Sequence, residues 1–324
     1  MADISVVIPT CDRPERVRSL LADLARLHDP PREILIVDAS QEPQPAADLA
    51  PLGPRARLLR AERSVCAQRN RGIQAATSRW IFLCDDDIEV PPDYLARLAA
   101  HAEAHPEAGA ISGLVLEQVG GAWASQHPIT SWTALLWCRV FQLGIWGEIH
   151  CEGLLGDLLA GHYRSRGNHI SSAGWPVLID FAGPWFRTPI YPLGASLVRR
   201  DWLLDSPYDE RLDRRGYGDN YGVALGFPPE GIHVVTSASV RHHKDAGNRP
   251  PAAVGYSKRI LALDRFLDAA RGRTRARRGW LAWSLLGNTL LHGATGNRDL
   301  CWASLKTLSV IVSGRNPYLA PRAG

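Results

Sequence analysis

The sequence predicts an α/β fold in which a mixed, mostly parallel sheet is flanked by helices and followed by a C-terminal helical extension. Two observations predict it. Over the first 117 residues, short β-branched apolar runs alternate with stretches of helical period, the mark of parallel strands joined by crossover helices. Beyond residue 246 the strand signals stop and three helix-period stretches follow.

Ile4–Ile8 is an apolar run closing on Pro9 and Thr10. Pro14 opens a helix whose apolar residues Val17, Leu20, Leu21, Leu24 and Leu27 fall on one face. Glu33–Asp38 reads as a buried strand, a proline-rich loop follows, and a short strand is expected near Arg57–Arg60. Val65–Ala76 reads as a helix, and Trp80–Cys84 as a buried strand running into three aspartates. Pro91 and Pro92 restart a helix through about Ala104, and Ala110–Leu116 is the next strand. From Gly120 to about Phe186 periodicity fails and Trp, Gly and Pro become frequent. Strand character resumes at Gly194–Val198 and Ile232–Val240, and helices are expected near Ala253–Ala270, Trp280–His292 and Leu300–Ser313. The organisation expected is a sheet domain over 1–245, carrying an irregular insertion over about 118–190, and a helical extension over 246–324.

Hydrophobic residues make up 45% of the 324, and charged residues 22%, which excludes a disordered chain. The net charge of +4 suits phosphorylated ligands or an anionic membrane surface and selects neither. The six cysteines form no CxxC or zinc-finger spacing and read as reduced thiols of a cytoplasmic protein. The first residues show no cationic stretch leading into an apolar leader. No apolar run reaches the roughly 18 residues of a spanning helix, since Arg139 interrupts Trp132–Gly147.

Asp85, Asp86 and Asp87 carry the strongest chemical signal. Ligands of open α/β sheets bind at the carboxyl ends of the strands, where this triplet falls. Adjacent carboxylates repel unless a cation neutralises them, and hard oxygen donors suit Mn²⁺ or Mg²⁺. A solvated acidic turn capping the next helix is the alternative.

Four blocks between residues 5 and 93 give this triplet a context. Ser5-Val6-Val7-Ile8-Pro9-Thr10-Cys11-Asp12-Arg13-Pro14 resembles the opening strand of the inverting family 2 glycosyltransferases, enzymes of the Rossmann-like GT-A fold. Ile36-Val37-Asp38-Ala39-Ser40 is similar to that family's second strand, and Ala67-Gln68-Arg69-Asn70-Arg71-Gly72-Ile73 to the segment before its metal-binding strand. The aspartate triplet stands where the family has its DXD motif. The resemblance implies a nucleoside-diphosphate sugar bound through Pro9, Thr10, Arg13, Asp38, Ser40, Arg69, Asn70, Asp85 and Asp86. Asp85 and Asp87 would hold the metal, and Asp38 would meet the nucleoside. An exposed helix-start Arg13, a surface salt bridge at Arg69 and a turn-forming Asp38 are the plainer readings.

The second half resembles rhamnosyltransferase-like members of the family. Gly167–Trp175 is similar to one of their loops, Tyr191–Arg200 to a strand, and Tyr208-Asp209-Glu210-Arg211-Leu212 to the segment before their catalytic base. The acidic pair that usually follows is reduced here to Asp219 within Gly216–Gly222. Asp219 is therefore the candidate general base, with Asp209 or Glu210 behind it. His242, in Val240-Arg241-His242-His243-Lys244, stands at the family's histidine position and would complete the metal site, with Lys244 and Arg249 near the diphosphate.

The resemblance implies a metal-dependent inverting transfer from a nucleoside-diphosphate donor, UDP first and dTDP next, to a hydroxyl of a saccharide, glycolipid or natural product. A retaining transferase or nucleotidyltransferase on the same scaffold, or a nucleotide-sugar-binding subunit with little activity, are the alternatives. Tryptophans 132, 137, 146 and 175 either line an acceptor site or pack the insertion. The run Arg271–Arg278 is a solvated hinge or a lipid-phosphate contact, so peripheral contact at the inner face of a membrane is an expected partner. No motif points to nucleic acid, and nothing in the sequence speaks to oligomeric state.

Overall fold

The structure, a computed structural model, describes residues 2–228, 231–244, 250–269 and 277–319. Two compact units share the chain. The first comprises Met1–Ser125, Ala182–Arg187 and Tyr191–Asp245, the second Gln126–Phe181, Thr188–Ile190 and Ala246–Gly324. The boundary expected near Ala246, together with Arg249 and Arg271–Arg275, lies outside the described residues.

The first unit opens with β1 (Ala2–Thr10), α1 (Pro14–Ala25), β2 (Pro31–Asp38), the single-turn α2 (Ala46–Leu49), β3 (Ala56–Arg60), α3 (Val65–Ala75) and β4 (Trp80–Cys84). It continues through β5 (Ile88–Glu89), α4 (Tyr94–Ala104), β6 (Ala110–Val119) and β7 (Ala122–Ala124). The second unit takes α5 (Trp132–Phe141), β8 (Ile145–Trp146), α6 (Leu154–Arg164), β9 (His169–Ile170) and β10 (Pro176–Leu178). The chain returns to the first with β11 (Trp185–Thr188), β12 (Ala195–Arg199), α7 (Arg200–Asp205), α8 (Asp219–Ala224) and β13 (Ile232–His242). Helices α9 (Ala252–Ala269), α10 (Arg278–Ala294) and α11 (Arg298–Val312) belong to the second unit.

The main sheet has the order β11-β13-β6-β12-β4-β1-β2-β3. Strands β4, β1, β2 and β3 pair in parallel. β12 is antiparallel to both β4 and β6, and β13 is parallel to β6. β6 and β13 therefore run in the same direction as β4, and their carboxyl ends reach the same edge of the sheet. Central strands are buried on both faces: Val6, Val7, Ile8, Ile34, Ile36, Ile81 and Phe82 have no exposed surface, as continuous apolar runs require. Pro9 lies beyond the last β1–β4 pair, Val7 with Leu83, so its missing N–H breaks no bond on that side.

Helix α1 starts on Pro14 and buries Val17, Leu20, Leu21 and Leu24, the stripe its spacing predicts. Helix α3 is capped by Ser64, whose hydroxyl accepts from the Ala67 amide. Its glycine, Gly72, lets the helix press onto the sheet: an added Cβ would strike the Val7 and Val37 side chains.

Where the sequence shows no period, between residues 120 and 186, the structure has two helices and a three-stranded sheet of order β8-β10-β9. The period is hidden because Leu154, Leu155 and Leu158 of α6 are exposed while Gly156, Ala160 and Tyr163 face inward. Leu135, Ile145, Tyr163 and Val177 form the local core. Trp137 packs on Phe141, and the Trp175 indole donates to the Ser284 hydroxyl, so both tryptophans are engaged within the second unit.

Candidate active site

Parallel strands leave their carboxyl ends, and the loops after them, at one edge. Thr10 ends β1 directly opposite Asp38 at the end of β2, and Asp85 follows β4. The Thr10 hydroxyl donates to Asp86 Oδ2 at 2.8 Å, tying the first loop to the aspartate triplet.

Each aspartate of the triplet has its own partner. Asp85, the most exposed of the three, accepts from Arg69 at 2.5 Å, and its amide donates to the Gly194 carbonyl. Asp86 accepts from Arg13 at 2.7 Å as well as from Thr10. Burial drives the Asp86 carboxyl up to about 6, although Arg13 and Thr10 pull it down. Asp87 Oδ1 lies 3.2 Å from His242 Nε2, and its other oxygen lies 3.4 Å from Arg13. Gly194 is required beside the triplet, because a Cβ there would strike the Asp85 carboxylate.

Arg69 joins the two halves of the chain. Its buried guanidinium lies between Asp85 and Asp219, residues 134 apart in sequence (219 − 85), and over the Tyr208 ring at 5.0 Å. Asp219 opens α8 with its carboxylate buried and its Oδ1 accepting the Asn220 amide. Burial pushes this carboxyl up to about 6 against the pull of Arg69. Arg69 itself is held above its ordinary value, because burial, which opposes its charge, is outweighed by the two carboxylates. Asn70 turns away from this cluster. Its side-chain amide donates to the Tyr208 carbonyl and Glu210, and its oxygen accepts the Tyr208 amide, so it clamps the loop leading to Asp219.

Asp38 is fully buried. Its oxygens accept the amides of Ser40 and Gln44 at 2.7 and 2.8 Å, and Arg60 adds a third contact at 3.3 Å. The Ser40 hydroxyl in turn accepts the Asp12 amide, whose residue has φ of 56°. Pro9, Thr10, Asp38 and Ser40 thus shape one loop pair at the sheet edge.

His242 ends β13, and its second ring nitrogen lies 3.3 Å from Glu117, which also pairs with Lys244. Although burial opposes its charge, Asp87 and Glu117 raise the imidazole to about 9. Glu117 falls to about 2 despite burial, through His242 and Lys244. Sequence reasoning missed Glu117. The available signal was an acid ending the apolar run Leu114-Val115-Leu116. Its partner is visible only once β6 and β13 pair.

Among the described residues, one trio of metal-competent side chains has ligand atoms within 4.8 Å of one another: His105, Glu107 and His233. It is not the predicted site. Arg187 already donates to His233 at 3.2 Å and contacts Glu107 at 3.3 Å, so a cation occupies it. His233 also stands at the opposite end of β13 from His242, roughly 25–30 Å away at about 3.3 Å per residue.

Four similarities bear on this site. Residues 5–151 match the sequence model of Glycosyl transferase family 2. An uncharacterized glycosyltransferase, YwdF of Bacillus subtilis (strain 168), is 35% identical over 102 residues, 31% of this chain and 38% of its own. The succinoglycan biosynthesis protein ExoO of Rhizobium meliloti (strain 1021) is 33% identical over 107 residues, 32% of this chain and 31% of its own. The matched region thus spans about a third of the length of these relatives. In three dimensions the chain is similar to the mannosyltransferase PcManGT from Pyrobaculum calidifontis, solved with GDP-Man and Mn²⁺. That similarity has a TM-score of 0.53 and 15% identity, over 97% of this chain and 86% of the other. Residues 5–151 are thus similar to glycosyl transferase family 2, and the chain shares the GT-A fold of the solved mannosyltransferase.

Proposed function

We infer that the first unit is a metal-dependent inverting glycosyltransferase domain, taking a sugar from a nucleoside diphosphate, UDP first and dTDP next, to an acceptor hydroxyl. The observation that carries this reading is the bridge Asp85–Arg69–Asp219, which brings the candidate base beside the aspartate triplet. The donor set fits a hard divalent cation: Asp85 and Asp87 offer carboxylate oxygens and His242 an imidazole nitrogen, with Asp87 and His242 already facing each other. When bound, Mn²⁺ or Mg²⁺ would neutralise the diphosphate and favour its departure.

The chain's own residues supply the rest. Thr10, Arg13 and Asp86 form one linked wall of the donor site, and the Asp38–Ser40 loop, closed by Arg60, offers the edge for the nucleoside. Asp219 takes the proton of the acceptor hydroxyl as that oxygen bonds to the anomeric carbon. The bond to the diphosphate breaks on the opposite face and its electron pair leaves with the diphosphate, so configuration inverts. A carboxyl near 6 suits a base working at neutral pH. Arg69 orients that base and favours its ionised form.

The acceptor is a saccharide, glycolipid or natural product reached from the cytoplasmic side of a membrane. ExoO, named for succinoglycan biosynthesis, supports a saccharide. The ion pair on Asp219 favours a second reading, a nucleotide-sugar-binding subunit of low activity, because a paired carboxylate is a weaker base. Asp219→Asn separates the two. We expect it to abolish transfer while UDP still raises the melting temperature only with Mn²⁺ present. Unchanged turnover removes Asp219 as the base, and absence of turnover in the native protein with every donor favours the binding subunit.

A further inference from the structure

Helices α10 and α11 of the second unit pack as neighbours, largely through small and hydroxyl-bearing residues. The faces they bury hold Ser284, Gly287 and Thr289 beside Leu281 and Leu285 on α10, and Ser304 and Thr307 beside Ile311 on α11. Their hydroxyls are satisfied internally: Thr289 and Ser304 both donate to the Leu285 carbonyl, and Thr307 to that of Ala303. Gly287 admits Phe141, whose ring an added Cβ would strike. Small residues of this kind let helices approach closely.

Most of their large apolar residues face outward. On α10 these are Trp280, Trp283, Leu286 and Leu290, spaced as one helix face. On α11 they are Trp302, Leu305 and Val312, with Trp302 71% and Val312 72% exposed. Val140 on α5 extends the stripe, since the Trp283 indole donates to its carbonyl at 2.8 Å. A water-facing hairpin would show the reverse pattern, and exposed apolar surface of this extent marks an interaction face.

Charge identifies the partner. Between residues 277 and 319 there are five lysines and arginines against one acid, Asp299, with Arg278 paired to Asp264, whereas the whole chain holds 37 basic and 33 acidic residues. An identical copy on this face would bring like charges together, while an anionic surface would neutralise them. Exposed tryptophan and leucine on helices with an excess of basic residues are the composition of helices lying at a lipid interface. The helices are 17 and 15 residues long, and among the described residues no helix is long and apolar enough to cross a membrane. We propose that the α10–α11 hairpin lies flat on an anionic phospholipid bilayer, its tryptophans and leucines at the headgroup–acyl boundary and its basic residues on the lipid phosphates. The docking deepens the membrane side of the proposed function and does not depend on the sugar chemistry.

The test is co-sedimentation of the full chain with phosphatidylcholine vesicles containing phosphatidylserine, beside pure phosphatidylcholine vesicles. Binding is expected to the anionic vesicles, weakening as salt rises. The pair Leu290→Glu and Trp302→Glu, both at exposed positions, should lower that binding about 100-fold, since each removes a large buried-on-docking side chain. Metal-dependent binding of UDP by the same variant should be unchanged, which shows the chain still folded. Equal binding to both vesicle types, or none to either, overturns the proposal. So does a lipid-free dimer that the same pair dissolves, which would make the face a contact between copies. Loss of vesicle binding leaves transfer to a soluble acceptor intact, so this failure and that of the proposed reaction are told apart.

Discussion

Replacing Arg69 by methionine would remove the cation that Asp85 and Asp219 share. The size of the effect follows from the buried carboxyl. Held at about 6 rather than its ordinary 3.8, Asp219 at about pH 7.5 already opposes folding by roughly 3 kcal/mol, at about 1.4 kcal/mol per unit. Without Arg69 the group rises further until it takes up a proton, and at about pH 7.5 that route costs roughly 5 kcal/mol. The difference, about 2 kcal/mol, is the most Asp219 can add to the deficit, and the half-exposed Asp85 adds about 1 kcal/mol or less. Near pH 6 the Asp219 share shrinks to a few tenths of a kcal/mol. The sign is that of a raised acid, whose burden on the folded state grows as pH rises through the interval between 3.8 and 6. Thermal unfolding should therefore show Arg69→Met about 5–10 °C below the native protein at pH 7.5 and much closer at pH 6. Arg69→Lys should recover part of the loss, because one ammonium reaches only one of the two carboxylates. A deficit equal at the two pH values, or no deficit at all, would refute the bridge as the source of stability.

Two further outcomes follow from the same geometry. If Asp219 is the base, the transfer rate should fall about tenfold per unit below pH 6, the point to which burial raises it; a rate flat down to pH 5 would exclude it. Gly72→Ala should cost about 1–3 kcal/mol in denaturant unfolding, since its Cβ meets Val7 and Val37 where α3 lies on the sheet; a neutral result would show that this contact yields freely.

The strands and crossover helices of the first half are legible because local pattern alone specifies them. Residues 31–38 and 80–84 are apolar runs bounded by turn residues, and α1 carries its stripe at helical spacing. The aspartate triplet was legible for the same reason, since a strand's carboxyl end locates it without knowledge of the neighbours. The α5–α6 region was not, because its helices bury small residues and expose leucines, which erases the period.

Sequence alone, then, determined which residue types stand at the carboxyl ends of β1, β2, β4 and β13. What only the tertiary structure decided is how those residues are paired. Arg69 turned out to be shared by Asp85 and Asp219, Asn70 was spent on the Tyr208 loop, and His242 was placed between Asp87 and the unforeseen Glu117. The physical reason is range. Strand and helix preferences act over a few residues, whereas ion pairs such as Arg69–Asp219 and Glu117–His242, 150 and 125 residues apart, exist only after sheet pairing has brought their strands to a common edge.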